Sequence, residues 1–483
     1  MKDGTVIERD ARLSRSRLWD LERRWYELAG ERAWSVLPYY ITTNPTMGAA
    51  IAQVIAGWAR DGGAGGLPIT ILELGAGTGR LAWHVTRSLD RLAHVVPSYR
   101  YVMSDLPERT RAWWRDHPQL AGSRIEHARI DCEDPDETFE AIGRGPLVVI
   151  ATYLFDSLRS DVYAVRDGIV LEKRVSLIAP DDCDLDGEDA LGQIGRAWST
   201  APIESYGDRD LDAVLASYAS LPDAELTFPI AALRLLRRLE ERSGGRMLVL
   251  AADKGFVEPS SMIGRSEPDL MHHGCLSIAV NLHALGADAA RRGAAILTTE
   301  PSRIRLATIA IAHGAPKTDE LRAAFDEAFA HAGPDDWYAL KRTVERRYSD
   351  CELDELLAIL RTSRGDENVF RGCASVLFER TCAAPPSQLP GVRAAVRDVL
   401  SAYYWIGEEG DLPFLAGCAL ALADDLPAAR SAWQQALAID ARAPGPCQRL
   451  AMSGVWLGDD DDPRVIACEA EPLYREVRAR LLR

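Results

Sequence analysis

The chain lacks the patterns that mark several common classes of protein. Its nine cysteines form no C-x-x-C pair, which argues against a zinc site or a disulfide framework and favours reduced thiols. No apolar run approaches the roughly 18 residues of a membrane-spanning helix, and the segment after Met1 has no apolar signal core. We therefore expect a soluble, cytoplasmic protein with no metal site and no membrane partner.

Positive charge is also scarce. The 483 residues include 56 Lys and Arg against 72 Asp and Glu, a formal net charge of -16. Nucleic-acid binding needs a basic face that neutralises phosphates, so this balance argues against a nucleic-acid partner. The length predicts more than one domain.

The most informative segment that is present reads Ile71-Leu-Glu-Leu-Gly-Ala-Gly-Thr-Gly-Arg80. An apolar strand-like run ends in an acid, Glu73, and glycines then occupy every second position before a helical pattern begins: Gly75, Gly77 and Gly79. The third glycine comes one position too early for the dinucleotide fingerprint, and no Lys-Ser/Thr follows as in a P-loop. A dehydrogenase is therefore the weakest alternative. The pattern resembles motif I of class I S-adenosylmethionine (SAM) methyltransferases, which implies that Glu73 faces the methionine end of SAM and that the glycines make room for it.

Strand-like and helix-like segments alternate around this motif, which predicts a doubly wound α/β sheet. The strands are predicted near 69–74, 98–105, 124–130, 145–151, 246–252, 294–299 and 305–312. The last two should be antiparallel, which is how the seven-stranded, Rossmann-like class I methyltransferase sheet ends. Between the strands at 145–151 and 246–252 we predict a hairpin that turns at Asp167-Gly168, an acidic loop and polar helices. These elements define a methyltransferase domain over 68–315, with an insertion at about 160–240, after a helical, cofactor-covering segment over 1–67.

Only helices are predicted over 316–483. Five residues match the spacing of a tetratricopeptide repeat: Gly417, Leu420, Ala429, Trp433 and Ala436. Helical repeats commonly bind extended partners, so this tetratricopeptide-like domain predicts a protein or peptide substrate. A generic helical bundle and a homodimer contact are the alternatives.

Polar residues follow the predicted strands at the edge where parallel sheets bind ligands. Asp105, with Leu106 beside it, follows the second strand and can accept hydrogen bonds from both ribose hydroxyls of a cofactor. Asp131-Cys132 follows the third strand, where class I methyltransferases often place an acid near the adenine amino group, and Thr152 follows the fourth. Asp105 also has a simpler explanation, since it could cap the helix that begins near Pro107.

Residues 36–312 resemble a narrower branch, the MidA-like methyltransferases related to a mitochondrial complex I assembly factor. Tyr40-Ile-Thr-Thr-Asn-Pro45 is similar to an N-terminal segment of that branch and implies that Thr43 lies over the cofactor. Ala151-Thr-Tyr-Leu-Phe-Asp-Ser-Leu158 resembles its A-N-E-[LF]-F-D-A-L motif. Gly274–Leu285 resembles its late segment, D-I-T-x-x-V-D-F-x-x-L.

Two departures from that branch concern the methyl acceptor. Thr152-Tyr153 stands where the branch has Asn-Glu, and Asn281 replaces its late aspartate. A carboxylate beside the acceptor would orient a guanidinium, so its loss argues against arginine as the substrate. The protein mainly has to align donor and acceptor, and a general base is needed only for a weakly acidic acceptor. The candidate catalytic residues are Tyr153, Asp156 and His273, with His272 beside it; the two histidines could also form an ordinary solvated loop.

The leading hypothesis is a SAM-dependent methyltransferase acting on a protein or peptide that the helical domain partly holds. A small-molecule O- or N-methyltransferase is the nearest alternative. A SAM-binding pseudoenzyme that acts as a scaffold is the other, because the Asn-Glu pair is missing.

Overall fold

The computed structural model describes residues 4–29, 40–96, 98–134, 139–265, 270–272, 276–300, 306–407, 411–440 and 477. The chain divides into two compact units. The first comprises Met1–Thr43 and Met47–Asp335, and the second comprises Asn44–Thr46 and Asp336–Arg483. Within the described ranges no helix is both long and apolar enough to cross a membrane.

All strands among the described residues belong to the first unit. In chain order they are β1 Thr5–Arg12, β2 Ile69–Leu74, β3 Tyr99–Asp105, β4 Ile125–Arg129, β5 Leu147–Thr152, β6 Asp161–Arg166, β7 Ile169–Ala179, β8 Gly195–Pro202, β9 Asp223–Phe228, β10 Met247–Asp253, β11 Gly255–Phe256, β12 Leu270–His272, β13 Leu276–Ile278, β14 Val280–Asn281, β15 Ala295–Thr298 and β16 Ala307–His313.

Helices flank the strands and make up the second unit. In chain order they are α1 Leu18–Ala29, α2 Tyr40–Thr43, α3 Pro45–Arg60, α4 Arg80–Arg91, α5 Glu108–Asp116, α6 Ala190–Gln193, α7 Arg209–Ser217, α8 Ile230–Ser243, α9 Leu282–Arg291, α10 Asp319–Phe325, α11 Pro334–Glu345, α12 Leu353–Thr362, α13 Glu367–Ala383, α14 Leu389–Ala402, α15 Asp411–Leu422 and α16 Leu426–Asp440.

The main sheet has seven strands in the order β15-β16-β10-β5-β2-β3-β4. β16 runs antiparallel to both of its neighbours, and the other pairs are parallel. The seven strand positions predicted from the sequence are confirmed to within two residues. Their apolar runs are nearly continuous, and so easy to recognise, because the central strands are covered on both faces. Every residue of β10 is buried, for example.

The topology places a crevice at one edge of this sheet. The chain leaves β2 towards β3 and β4 on one side and then crosses to β5 on the other side of β2. The connections that follow β2 and β5 therefore diverge, and ligands of open α/β sheets bind at the carboxyl ends of the strands at such a switch point.

A second sheet, of five strands, corrects two sequence predictions. Its order is β1-β7-β6-β9, with β8 on the other edge of β7. Polar helices alone were expected after the acidic loop, but β8 and β9 lie there, and β1 is a strand in a segment expected to be helical. Burial does not alternate regularly along β1 and β8, so their sequences show no clear period of two residues. β1 pairs with β7, in which Ala179 lies opposite Thr5 and about 170 residues further along the chain. The predicted Asp167-Gly168 hairpin is confirmed by the register of β6 and β7.

The second unit is helical throughout its described residues. In the hairpin of α15 and α16, a Cβ at Gly417 would lie 2.3 Å from Nε1 of Trp433, so only glycine permits this close approach. That contact explains two of the five residues singled out by the repeat spacing. The assignment to the tetratricopeptide family stays a prediction.

Candidate functional site

The loop between β2 and α4 has the backbone that its glycines allow. Gly75, Gly77 and Gly79 have φ angles of 62°, 56° and 84°, in the left-handed region that side chains disfavour. At Gly75 a Cβ would also lie 3.0 Å from Cδ1 of Leu154. The alternating turns bring the loop backbone to the edge of the sheet, and Gly79 closes the turn into α4 as its N-cap.

Two carboxyl groups stand beside this loop. Glu73 is buried and accepts a hydrogen bond from the Tyr101 hydroxyl at 2.7 Å. Burial raises the pKa of Glu73 to about 8; the negative charge of Asp105 adds to the shift, and the Tyr101 hydrogen bond partly opposes it. The carboxyl group is therefore neutral over much of the physiological pH range, which removes the cost of burying a charge.

Asp105 is tied to the glycine loop. Its two oxygens accept the backbone N–H groups of Gly77, at 3.0 Å, and of Leu106, at 2.8 Å. Burial raises the pKa of Asp105, although both amides counteract this. Helix α5 begins after Pro107 without any side-chain cap, so the structure excludes the simpler explanation of Asp105 as a helix cap.

One cavity collects nearly all of the sequence-predicted residues at the carboxyl ends of β2 to β5. Its lining includes Thr43, Glu73, Gly75, Gly77, Asp105, Leu106, Asp131, Cys132, Thr152, Tyr153 and Asp156. Gly79 is absent from the lining. His273 and the side chain of His272 lie outside the described residues.

At the end of β4, an ion pair holds Asp131. Burial alone would raise the pKa of Asp131, but the hydrogen bond from the Arg23 guanidinium and the backbone N–H of Glu133 outweigh it and lower the pKa. Asp131 is therefore ionised and fixed in place. Burial raises the pKa of the neighbouring Cys132 thiol far above its usual range, so that thiol is a neutral part of the wall.

The turn after β5 is strained. Tyr153 has a φ of 48°, and its N–H donates to the Ala252 carbonyl at 2.9 Å. Its ring centre lies 5.8 Å from Nζ of Lys254. A non-glycine residue in this conformation costs on the order of 1–3 kcal/mol and occurs preferentially at functional sites.

Asp253 orders this turn, and sequence reasoning missed it. Its carboxyl group, at the end of β10, accepts the N–H groups of Phe155 at 3.0 Å, of Asp156 at 3.3 Å and of Lys254 at 2.9 Å, and burial, with the charge of Asp156, raises its pKa. The only signal in the sequence was an acid at the end of a buried strand.

Asp156 faces the cavity from the ordered turn. Burial raises the pKa of Asp156 to about 6, while the Ser157 hydroxyl, at 3.1 Å, and the positive charge of Lys254 oppose the shift. A carboxylate with a pKa near neutrality is suited to accept a proton.

Helix α1 lies in the N-terminal segment that was expected to be helical and to cover the cofactor, and it contributes lining residues that the sequence analysis did not single out. Trp19, Glu22, Arg23 and Tyr26 line the cavity at helical spacing. Glu22 is 2% exposed, and neither of its carboxyl oxygens has a hydrogen-bond partner. Burial raises the pKa of Glu22, and the charges of Asp156 and Glu133 add to the shift. An acid on the same helical face as two aromatic residues was the available signal.

Asn281 has a structural role. Its side-chain oxygen accepts the N–H of Ala284 at 3.0 Å and caps α9, and its amide donates to the Thr227 carbonyl at 3.1 Å. It is not part of the cavity lining. The departure from aspartate at this position therefore says little about the methyl acceptor.

Comparisons with known proteins found no matching protein-family profile and no matching curated protein. Two similar solved structures come from Burkholderia thailandensis. One is an uncharacterized protein of the COG1565 superfamily, 18% identical, with a TM-score of 0.44 over 65% of this chain and 90% of its own. The other is a COG1565 superfamily member, a suspected methyl transferase bound to S-adenosyl-homocysteine, 18% identical, with a TM-score of 0.45 over the same shares.

Proposed function

We propose that the chain is a SAM-dependent methyltransferase of the MidA-like branch, and that its acceptor is a protein or peptide. The observation that carries the proposal is the meeting of Glu73, the glycine loop, Asp105 and Asp131 in one cavity at the switch point of the sheet. These residues follow three neighbouring strands, β2, β3 and β4, at the edge of the sheet where open α/β folds bind ligands.

The residues present fit SAM. Each Asp105 oxygen accepts one backbone N–H and retains a lone pair for a ribose hydroxyl. Asp131, fixed by Arg23, would receive the adenine amino group, and Glu73 with the glycine loop would face the methionine end. Aromatic side chains of α1, from Trp19 and Tyr26, would keep water away. When bound, SAM supplies a methyl group that is already activated on a sulfonium.

The residues after β5 would align the acceptor and receive its proton. Tyr153 is held in a strained, defined position and would align the acceptor with the methyl group. An acceptor bound there would take up this methyl group through a lone pair, and Asp156 would receive the proton that the acceptor loses. Lys254 would stabilise the ionised form of Asp156 before that transfer.

Two observations favour acceptors of different size. The helical second unit favours a protein or peptide, because helical hairpins stacked in series present extended binding surfaces. A small-molecule acceptor is favoured by a different observation, the side chains of α1 in the cavity wall, because partly aromatic pockets suit small ligands.

Incubation of the full-length chain with methyl-labelled SAM and an unfractionated lysate distinguishes these acceptors. We expect label in protein or peptide. If label appears only in small molecules, the acceptor is a small molecule and not a protein or peptide. Tight SAM binding without any transfer would identify a pseudoenzyme. Tyr153→Phe and Asp156→Asn are informative variants, since each should lower transfer while leaving SAM affinity within about twofold.

A further inference from the structure

Helix α1 carries a buried carboxyl group without a partner into the wall of the candidate SAM cavity. Glu22 lines this cavity and is 2% exposed, and neither of its carboxyl oxygens has a hydrogen-bond partner among the described residues. Leaving such a group unpaired costs free energy, which is recovered when a ligand supplies the missing donor. Glu22 therefore points to a ligand that donates hydrogen bonds.

The other acidic side chains of the cavity lining already interact with donors of the chain. Their partners are the Arg23 guanidinium for Glu27 and Asp131, the Tyr101 hydroxyl for Glu73, the backbone N–H groups of Gly77 and Leu106 for Asp105, the Arg159 guanidinium for Glu133, and the Ser157 hydroxyl for Asp156. Within the described part of the lining, Glu22 is thus the acid whose two oxygens are both left to a ligand.

Glu22 belongs to the acceptor end of the cavity and not to the cofactor end. The negative charges that act on its carboxyl group are those of Asp156 and Glu133, whereas the charge that acts on Glu73 is that of Asp105. Because such effects weaken with distance, the acids form two groups. Glu73 and Asp105 mark the proposed cofactor side, and Glu22 lies with Asp156, the proposed proton acceptor.

The packing of α1 supports this placement. Tyr26 lies one turn after Glu22 on the same helix face, and its hydroxyl oxygen is 3.3 Å from that of Ser157. This face of α1 therefore lies against the turn after β5, where Tyr153 would align the acceptor.

The charges around Glu22 favour a cation. The described residues of the lining include two basic side chains, Arg23 and Lys254. Arg23 is paired with Asp131, and the charge of Lys254 acts on Asp156. Neither donates a hydrogen bond to Glu22. A positive charge that enters beside Glu22 would therefore be stabilised by two carboxyl groups, its own and that of Asp156.

We propose that Glu22 binds the methyl acceptor and that the acceptor group is an aliphatic primary amine, as on a lysine side chain, which enters the cavity as an ammonium ion. The inference rests on the proposed function, since it names the acceptor of that site. An ammonium ion has three N–H donors, enough for both Glu22 and Asp156. A guanidinium ion also matches the charge, but it is not deprotonated in proteins and so does not free a lone pair.

The two carboxyl groups would have different roles. One N–H bond of the ammonium ion breaks, its proton passes to the carboxylate of Asp156, and the electron pair of that bond stays on nitrogen as the free lone pair. Glu22 would accept hydrogen bonds from the remaining N–H groups and hold the nitrogen in position.

The test is a calorimetric titration of the full-length chain with n-butylamine, which reproduces a lysine side chain, in an amine-free buffer near neutral pH. 1-Butanol and n-propylguanidine, the latter equivalent to an arginine side chain, are titrated in parallel at matched ionic strength. The variant is Glu22→Gln, which removes the charge and keeps the shape. Asp20→Asn is the matched control, because Asp20 lies on the same helix, is exposed, pairs with Arg159 and does not line the cavity. Denaturant unfolding checks that both variants are folded.

We expect saturable n-butylamine binding by the wild type and by Asp20→Asn, and affinity at least about tenfold weaker in Glu22→Gln. 1-Butanol should not compete. Absence of saturable n-butylamine binding, or equal affinity of folded Glu22→Gln and the control, would overturn the proposal. Binding of n-propylguanidine as tight as that of n-butylamine would overturn the choice of an amine.

A separate titration with SAM reports on the proposed function. A chain that binds SAM but not n-butylamine would refute the amine acceptor alone, and a chain that binds n-butylamine through Glu22 but not SAM would refute methyl transfer. The two failures are therefore distinguishable.

Discussion

At the scale of single residues, Glu73 gives the clearest dependence of stability on pH. Its pKa is raised by burial from the ordinary value of 4.5 to about 8, so the folded chain holds a proton that the unfolded chain has released between these two pH values. The stabilisation that Glu73 contributes is therefore fully present below pH 4.5 and is lost as the pH rises through 8. We predict that Glu73→Gln, which stays neutral and can still accept the Tyr101 hydrogen bond, removes this loss.

Chemical denaturation of both proteins at pH 5, 6.5 and 8 provides the measurement. The free energy of unfolding of the wild type should fall relative to that of Glu73→Gln, by on the order of 3 kcal/mol across this range. Parallel pH profiles would show that Glu73 is ionised in the folded chain.

Glu22 gives a second prediction at this scale. A buried carboxyl group without a hydrogen-bond partner costs free energy that an apolar side chain of similar size does not. Glu22→Leu should therefore raise the free energy of unfolding by about 1–3 kcal/mol. Glu27→Leu on the same helix is the control and should change it little, because the Glu27 side chain is 55% exposed. A Glu22→Leu variant less stable than the wild type would mean that the carboxyl group is stabilised in place.

The residues that could be predicted from the sequence are those next to strand ends. Glu73, Asp105 and Asp131 follow apolar runs, and the carboxyl ends of parallel strands meet at one edge, so their convergence followed from the fold. Glu22 could not be found in this way, because it reaches the cavity only through the packing of α1. Lys254 does follow a predicted strand, β10, but its proximity to Asp156 depends on the turn after β5, which is about 100 residues away in the sequence.

At the scale of elements, the hairpin of β6 and β7 depends on its two-residue turn. Asp167 and Gly168 both have positive φ, at 52° and 76°, as hairpin turns of this length require. A Cβ at Gly168 would meet only the Ala219 carbonyl, at 3.7 Å, so the cost of a side chain there is conformational and not steric. We predict that Gly168→Val destabilises the first unit by about 1–3 kcal/mol.

The matched control is Asp167→Asn, because asparagine adopts positive φ readily and should leave the unfolding midpoint nearly unchanged. Both variants are compared with the wild type by denaturant unfolding. Equal stability of Gly168→Val and Asp167→Asn would contradict the role assigned to the turn.

Elements were predictable where the pattern was local or fully buried. The seven strands of the main sheet, the hairpin and its turn all have signals within a few residues. In contrast, β1, β8 and β9 were missed. β1 and β9 pair with strands that are distant in the sequence, β7 and β6, whereas β8 lies close to its partner β7 but has no buried face. Half-exposed strands lack the continuous apolar runs that identified the main sheet.

At the scale of the whole molecule, the division into two units predicts separable functions. Every residue that lines the candidate SAM cavity belongs to the first unit. A fragment that ends at Gly333, just before α11, should therefore bind SAM with an affinity within about twofold of the full chain, yet lose most methyl transfer to a protein acceptor. Calorimetry and label transfer measure the two properties. Retention of full transfer to protein would show that the helical unit does not hold the acceptor.

Calorimetric titration with SAM shows whether Glu73, the glycine loop, Asp105 and Asp131 form a SAM site. The wild type should bind SAM, and Asp105→Ala should weaken binding at least about tenfold, because hydrogen bonds to a charged group contribute about 1.5–3 kcal/mol each. Asp90→Ala removes an exposed carboxylate that interacts with Tyr99 and Arg124, and should bind SAM as the wild type does. No heat of SAM binding to the wild type, or an undiminished affinity of Asp105→Ala, would show that these residues do not form a SAM site.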